Sequence, residues 1–146
     1  VSAYNYAKNK YKKNKTINLY NIDLNNYKFK KKYDLVLDRG TLTHNLRDDI
    51  KSMLKKINKS LKKNGLFFSV LFAKDHFNST MSKDKKSFKN TTANNKGVIS
   101  NFFSIKEIKS LYNDFKIVEL KNEIHELHSS KKKRYSFWNI ILSKRK

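Results

Sequence analysis

Apolar residues fall at intervals of three and four from Ile50 to Leu61 (Ile50, Met53, Leu54, Ile57, Leu61), which predicts an amphipathic helix with one buried stripe. Asp48 and Asp49 suit the positive end of its dipole and Lys62-Lys63 the negative end, with Thr43 or Asn45 as the expected cap. Asn64-Gly65 predicts a stop in a left-handed turn. Leu66 to Ala73 is then nearly continuous in apolar residues, the pattern of a strand buried on both faces at the centre of a parallel sheet.

The remaining elements read more briefly. Ser2 caps a first helix to about Lys13, with Ala3 and Ala7 on one face. Ile17 and Leu19 alternate with polar neighbours, predicting a strand over Thr16–Asn21 that ends at Asp23. Tyr33 to Leu37 is a second strand. Ser104 and Glu107 form a capping box, with Phe103 and Ile108 as its hydrophobic staple, so a helix spans about Ile105–Asn113. Phe115–Leu120 and Ser136–Leu142 are closing strands, separated by a polar, charged stretch holding His125 and His128. Lys74 to Asn101 lacks an apolar period and reads as a lid or an inserted loop. Alternation of strands and helices predicts one α/β domain over 1–146, its sheet mostly parallel with an antiparallel strand at the end.

Charge changes this picture less than its size suggests. The formal net charge is +22, which raises nucleic acid as a partner. The cations are nearly all lysine, however, with arginine only at Arg39, Arg47, Arg134 and Arg145. Arginine is the better bidentate ligand for phosphate and guanine. Abundant Lys, Asn, Ile, Tyr and Phe with no Pro is the profile of coding sequence rich in A and T, so the charge is read as solvated lysine before a selected binding face. The absence of cysteine fits a reducing, cytoplasmic setting and leaves no thiolate metal site. No apolar run approaches a membrane span, and no membrane partner is expected.

Candidate chemistry gathers in Tyr33–His44, where a strand breaks into a turn holding Asp38, Arg39, Gly40, Thr41, Thr43 and His44. Open α/β sheets place their sites at such carboxyl strand ends. An ordinary surface turn, with an Asp38–Arg39 ion pair, is the plain alternative. His125 and His128, with Glu123 and Glu126, have no evident further ligands, so no metal is assigned to them.

The ordered motifs resemble those of class I S-adenosylmethionine-dependent methyltransferases. Val1–Ala7 is similar to the segment after that family's second strand, and Asn21-Ile22-Asp23-Leu24 to the acidic turn after its third. Tyr33–His44 is similar to its fourth strand and loop, Leu61-Lys62-Lys63-Asn64-Gly65-Leu66 to the junction into its fifth, and Phe102–Ile108 to the start of its last helix. The resemblance implies a Rossmann-like three-layer sandwich, S-adenosyl-L-methionine as cofactor and a transferase activity. It also implies that the glycine-rich cofactor loop precedes Val1, so the fold is N-terminally incomplete, cofactor binding by this stretch alone is weak or absent, and its activity is impaired.

By the same resemblance, Asp23 accepts from the adenine amine with Leu24 against the ring, and Asp38, Arg39 and Gly40 border the methionine end. His44 is the candidate base, while Thr41, His44, His125 and His128 face the acceptor. An Asx turn at Asp23, a helix-capping His44 and solvated His125 and His128 are the bland alternatives. Without proline the amino-directed nucleic-acid methyltransferase turn is excluded, and without cysteine so is covalent attack on a pyrimidine. A small-molecule acceptor is therefore preferred. The alternatives are a basic nucleic-acid-binding or RNA-modifying protein, and a noncatalytic remnant or partner subunit that completes its sheet with another chain. Oligomeric state stays open.

Overall fold

The computed structural model describes residues 3–81, 86–89, 97–127 and 133–145. Helix α1 covers Ala3–Tyr11, strand β1 Tyr33–Arg39, helix α2 Arg47–Ser60 and strand β2 Leu61–Ala73. Two short strands follow, β3 at Ser87–Lys89 and β4 at Ile99–Phe103, then helix α3 at Ile105–Leu111. The long strands β5 (Phe115–Leu127) and β6 (Lys133–Lys144) close the chain. Turns of 3-10 helix at Leu42–His44 and Phe77–Met81 lead out of β1 and β2. No described helix is long and apolar enough to cross a membrane.

Strand β2 is the centre of the sheet. One of its edges pairs with β1 and, further along, with β4, both parallel; the other pairs with β6 antiparallel. Strand β5 lies outside β6, and β3 outside β4, both antiparallel. The expected parallel arrangement thus holds around β1, β2 and β4, and the rest of the sheet is antiparallel. The β5–β6 hairpin runs well beyond the expected strands, because alternation in the charged stretch pairs Lys121 with Asn139 and Leu127 with Lys133. His125 is therefore a strand residue, while His128 and the capping Ser2 lie outside the described residues.

Burial alternates along β2 rather than covering both faces. Phe67 and Leu71 belong to the core formed with Ile50, Met53, Leu54 and Ile57 of α2 and Ile108 of α3. Phe68, Val70 and Phe72, on the opposite face, are half-buried. Helix α1 buries none of its residues. Strand β1 pairs only with β2 among the described residues, and Leu35 and Leu37 remain 51% and 67% exposed.

Three local expectations are corrected. Residues 16–21 form no strand, and Ile17 and Tyr20 stay exposed, because their alternation finds no described neighbour to pair with. The N-cap of α2 is Leu46 with no side-chain cap: the Thr43 hydroxyl donates to the Asn101 carbonyl at 2.7 Å and the Asn45 amide to the Thr41 carbonyl at 2.7 Å. Gly65 does not stop α2 in a left-handed turn. The helix passes directly into β2, and Gly65 lies at the irregular register between Tyr33 and Leu35, where a Cβ would stand 2.7 Å from the Tyr33 carbonyl oxygen. The capping box at Ser104 and Glu107 forms as expected.

Backbone on both sides of Gly65 leaves no flexible atom to yield. Gly65→Ala is therefore expected to destabilise the fold by about 1–3 kcal/mol. Urea unfolding reads this as a lower midpoint at unchanged slope; an unchanged midpoint would refute the close approach.

Candidate functional site

The turn after β1 is built by one carboxylate. Asp38 is buried, and its Oδ1 accepts from the Thr41 amide at 2.8 Å and the Leu42 amide at 3.3 Å. Its Oδ2 accepts from the Ser69 hydroxyl of β2 at 3.0 Å, and Ser69 lies 2.8 Å from the Tyr112 hydroxyl at the end of α3. Burial pushes the Asp38 pKa up against these donors, and pushes that of Tyr112 up as well. No Asp38–Arg39 ion pair forms. The strand alternation that turns Asp38 inward turns Arg39 to the opposite face.

Gly40 follows with φ +84°, open space where a Cβ would be, and the chain reverses into the 3-10 turn. Strand β4 clasps that turn: besides accepting from Thr43, Asn101 donates its side-chain amide to the Thr43 carbonyl at 3.0 Å and the Asn45 carbonyl at 2.6 Å. His44 is fixed by the same strand. Its Nδ1 lies 2.9 Å from the Ile99 carbonyl, which only accepts, so Nδ1 carries the proton and Nε2 is the basic nitrogen of the neutral ring.

These residues open on a cavity of about 370 Å³ lined by Arg39, Gly40, Thr41 and His44 with Val70, Phe72 and Phe137. A second cavity of about 520 Å³ shares Arg39, Val70 and Phe137 and adds Glu123, His125, Tyr135 and Asn139. A chain of rings joins the two: His44 meets Phe72 edge-on at 5.4 Å, Phe72 meets Phe137 at 5.7 Å, and Phe137 meets His125 at 6.2 Å. His125 is 2.7 Å from Glu123, whose other oxygen accepts from Asn139 at 2.6 Å. Those two partners hold the Glu123 carboxyl below its ordinary range.

The fold thus brings Arg39, Gly40, Thr41, His44 and His125 to one face of the sheet. Asp38 supports that face from behind. Asp23 and Leu24 are held on the α2 side: Asp23 Oδ1 accepts from the Asn25 amide at 2.8 Å in an Asx turn, Lys56 of α2 donates to the Asn25 carbonyl at 2.6 Å, and Leu24 packs on the core.

Sequence reasoning missed His76. It is 2% exposed, stacked on Phe72 at 4.5 Å and flanked by Tyr135 and Phe137, each at 5.5 Å. Its Nδ1 accepts from the Asn78 amide at 3.1 Å, and desolvation pulls its pKa down, so the ring is neutral. The signal for Tyr135, Phe137 and Asn139 was present as a second period-two set in β6, out of phase with Ser136, Trp138, Ile140 and Leu142.

Residues 2–69 match the family model described as "Methyltransferase domain". No curated protein matches the chain by sequence. Among solved structures, it is similar to a 1,6-didemethyltoxoflavin-N1-methyltransferase of Burkholderia thailandensis, a structure that holds 1,6-didemethyltoxoflavin and S-adenosylhomocysteine (TM-score 0.70, 16% identity, 100% of this chain and 59% of that one). It is also similar to an S-adenosylmethionine-dependent methyltransferase of Clostridium acetobutylicum (TM-score 0.67, 13% identity, 97% of this chain and 71% of that one). TehB of Haemophilus influenzae gives a TM-score of 0.60 at 19% identity, with 97% of this chain and 45% of that one covered. The chain therefore spans between about half and about seven-tenths of the length of these structures.

The raised pKa of Asp38 has a defined pH signature. A group whose pKa is higher folded than unfolded holds more protons in the folded state, so stability falls as pH rises through the window between the two values. Asp38→Asn keeps the acceptor for Thr41 and Leu42 and removes the ionisation. The variant is expected to gain stability relative to the parent as pH rises from about 4, the ordinary carboxylate value, towards neutrality. Urea titrations across that range check it, and a stability difference that stays flat or shrinks would contradict it.

Proposed function

We propose that this chain, whose residues 2–69 match a methyltransferase-domain model and whose fold is similar to that of solved S-adenosylmethionine-dependent methyltransferases, binds S-adenosyl-L-methionine and directs methyl transfer to a small-molecule acceptor. One observation carries the reading: a cavity at the carboxyl ends of β1 and β2, lined by Arg39, Gly40, Thr41 and His44, opens beside the His125 cavity. Both are of small-ligand size, as sites in open α/β sheets are.

The residues suit the cofactor in a specific way. Gly40, with no Cβ and a left-handed backbone, leaves room for close approach at the methionine end, and Arg39 supplies an exposed cation for a carboxylate. Asp23 and Leu24, held on the α2 side by the Asx turn and by Lys56 on the Asn25 carbonyl, do not line this cavity, so the adenine end is not assigned to them. Asp38 contributes through the turn it holds. The cofactor supplies an electrophilic methyl on a sulfonium, and the protein's part is alignment and proton removal. His44 is the base, taking the acceptor's proton on Nε2 while the Ile99 carbonyl holds Nδ1–H and the ring plane. Thr41 and His125 orient the acceptor against Phe72 and Phe137. The described ends of segment 74–101 border the cavity, His76 stacked on Phe72 and the Ile99 carbonyl on His44; the part of the expected lid over 82–85 and 90–96 lies outside the described residues.

Calorimetry with S-adenosylhomocysteine tests the reading. Binding is expected, and Arg39→Ala is expected to weaken it about tenfold, the loss of one charge-assisted contact, with an unchanged melting temperature. No heat of binding for either S-adenosylhomocysteine or S-adenosylmethionine at millimolar ligand would refute it.

A second reading, a noncatalytic partner subunit, is favoured by the open edge of β1 with Leu35 and Leu37 exposed. On this reading another chain adds a parallel strand there. Sedimentation is then expected to show association that Leu35→Lys/Leu37→Lys abolishes; a monomer at every concentration, alone and with candidate partners, would count against it.

A further inference from the structure

The end of the sheet away from the cavity carries a different chemistry. Where β1 and β2 begin, a groove of about 460 Å³ is lined by Lys28, Lys30, Lys31, Lys32, Lys56 and Lys59 with Tyr27, Phe29 and Ser60. A second groove of about 870 Å³ on the same end presents Lys63, Lys109, Lys116, Lys144 and Arg145. Neither lining includes an acidic residue. The two meet across Leu61-Lys62, where Lys144 donates to the Leu61 carbonyl at 3.4 Å. None of these cations joins an ion pair among the described residues; the nearby Asp34 is already paired with Lys62 at 2.8 Å.

Some of this charge serves the fold. Lys32 donates to the Lys59 carbonyl at the negative end of α2, Lys56 to the Asn25 carbonyl, and Arg145 to the Phe115 carbonyl. Lys28, Lys30, Lys31 and Lys59 make no such hydrogen bond among the described residues. Solvated lysine spread by composition would mix with carboxylates, as it does in the cavity beside α2, whose lining holds Lys51 and Lys55 together with Glu107 and Asp114.

Aromatic rings run beside the cations. Tyr20, Tyr27, Phe29 and Tyr33 form a ladder with centroids 5.8, 5.0 and 5.9 Å apart, and Tyr20 at its end is 66% exposed. Lys31 lies 5.7 Å over the Tyr33 ring. A cationic track with interleaved rings is the arrangement that holds a single strand, phosphates on lysine and bases stacked on aromatics. A duplex offers no free base to the ladder, and an anionic bilayer needs a protruding apolar face that these grooves lack.

We infer that the Lys28–Lys32 groove and its continuation along Lys63, Lys116 and Lys144 form a binding surface for single-stranded nucleic acid. It lies the length of β1, about 20 Å, from the Arg39–His44 cavity. It is thus a tethering surface, independent of which acceptor the cavity takes.

Fluorescence anisotropy of the full chain with a labelled oligouridylate of about 15 nucleotides tests this, with the matching duplex, dextran sulfate and phosphatidylserine vesicles as competitors. Binding is expected to weaken with salt and to favour the single strand over every competitor. Lys30→Glu/Lys31→Glu is expected to weaken it at least about tenfold and to make the log–log salt slope shallower by about 1–2. Tyr20→Ala is expected to cost about fivefold or more, while the charge-matched control Lys89→Glu/Lys106→Glu changes little. Absence of binding at low salt, equal loss in the control, or preference for a competitor with no effect of Tyr20→Ala would each overturn the proposal. Lys30→Gln/Lys31→Gln gives the same readout with a milder change if charge reversal impairs folding.

Discussion

The Asp38 carboxylate is the point on which the rest of the structure depends. Its oxygens take two turn amides and the Ser69 hydroxyl, and through Ser69 the network reaches Tyr112. A single side chain therefore fixes where β1 ends, how the following turn folds, and how both relate to β2 and α3. Burying a carboxylate is costly unless every oxygen is satisfied, and here three donors offset only part of the burial, which still holds the Asp38 pKa up. The arrangement leaves Arg39, Gly40 and Thr41 in one geometry on the opposite face, so the site's shape follows from a residue that does not line it.

Strand β2 carries the second constraint. It pairs with β1 and β4 on one edge and β6 on the other, so its two sets of alternate side chains serve different ends. Phe67 and Leu71 meet the apolar stripe of α2, and Phe68, Val70 and Phe72 form the floor on which His44, His76 and His125 are arranged. The molecule is polar along this sheet: rings and imidazoles at the carboxyl ends of β1 and β2, and where those strands begin lysines that, Lys62 apart, have no carboxylate partner among the described residues. The first end suits a small apolar ligand with a proton to lose, and the second a chain of negative charge.

Much of the fold was legible in the residues. The α2 stripe, the Ser104–Glu107 capping box and the β1 segment formed where the periodicity placed them, and the closing strands formed and extended well past their expected ends, because each pattern is satisfied within a few neighbours. Other signals misled for the same local reason. The alternation over 16–21 is a strand pattern without a partner, and Thr43 and Asn45 are good caps already engaged by Asn101 and Thr41. Gly65, read as a left-handed stop, is needed for a close approach to Tyr33 that no short window reveals.

The sequence by itself determined α2, α3, β1 and the two closing strands, the cluster of chemistry after β1, and the resemblance carried by the order of its motifs, but not β3 and β4, which formed in the stretch read as a loop. Only the tertiary structure decided which of those residues share a face. Side-chain direction in a strand alternates with every residue, so adjacent Asp38 and Arg39 face opposite sides, whereas His44 and His125, far apart in the chain, meet through Phe72 and Phe137. His76 packs against Phe72 without lining either cavity, and the lysines gather in two grooves rather than an average charge, because pairing and packing set those distances and composition cannot.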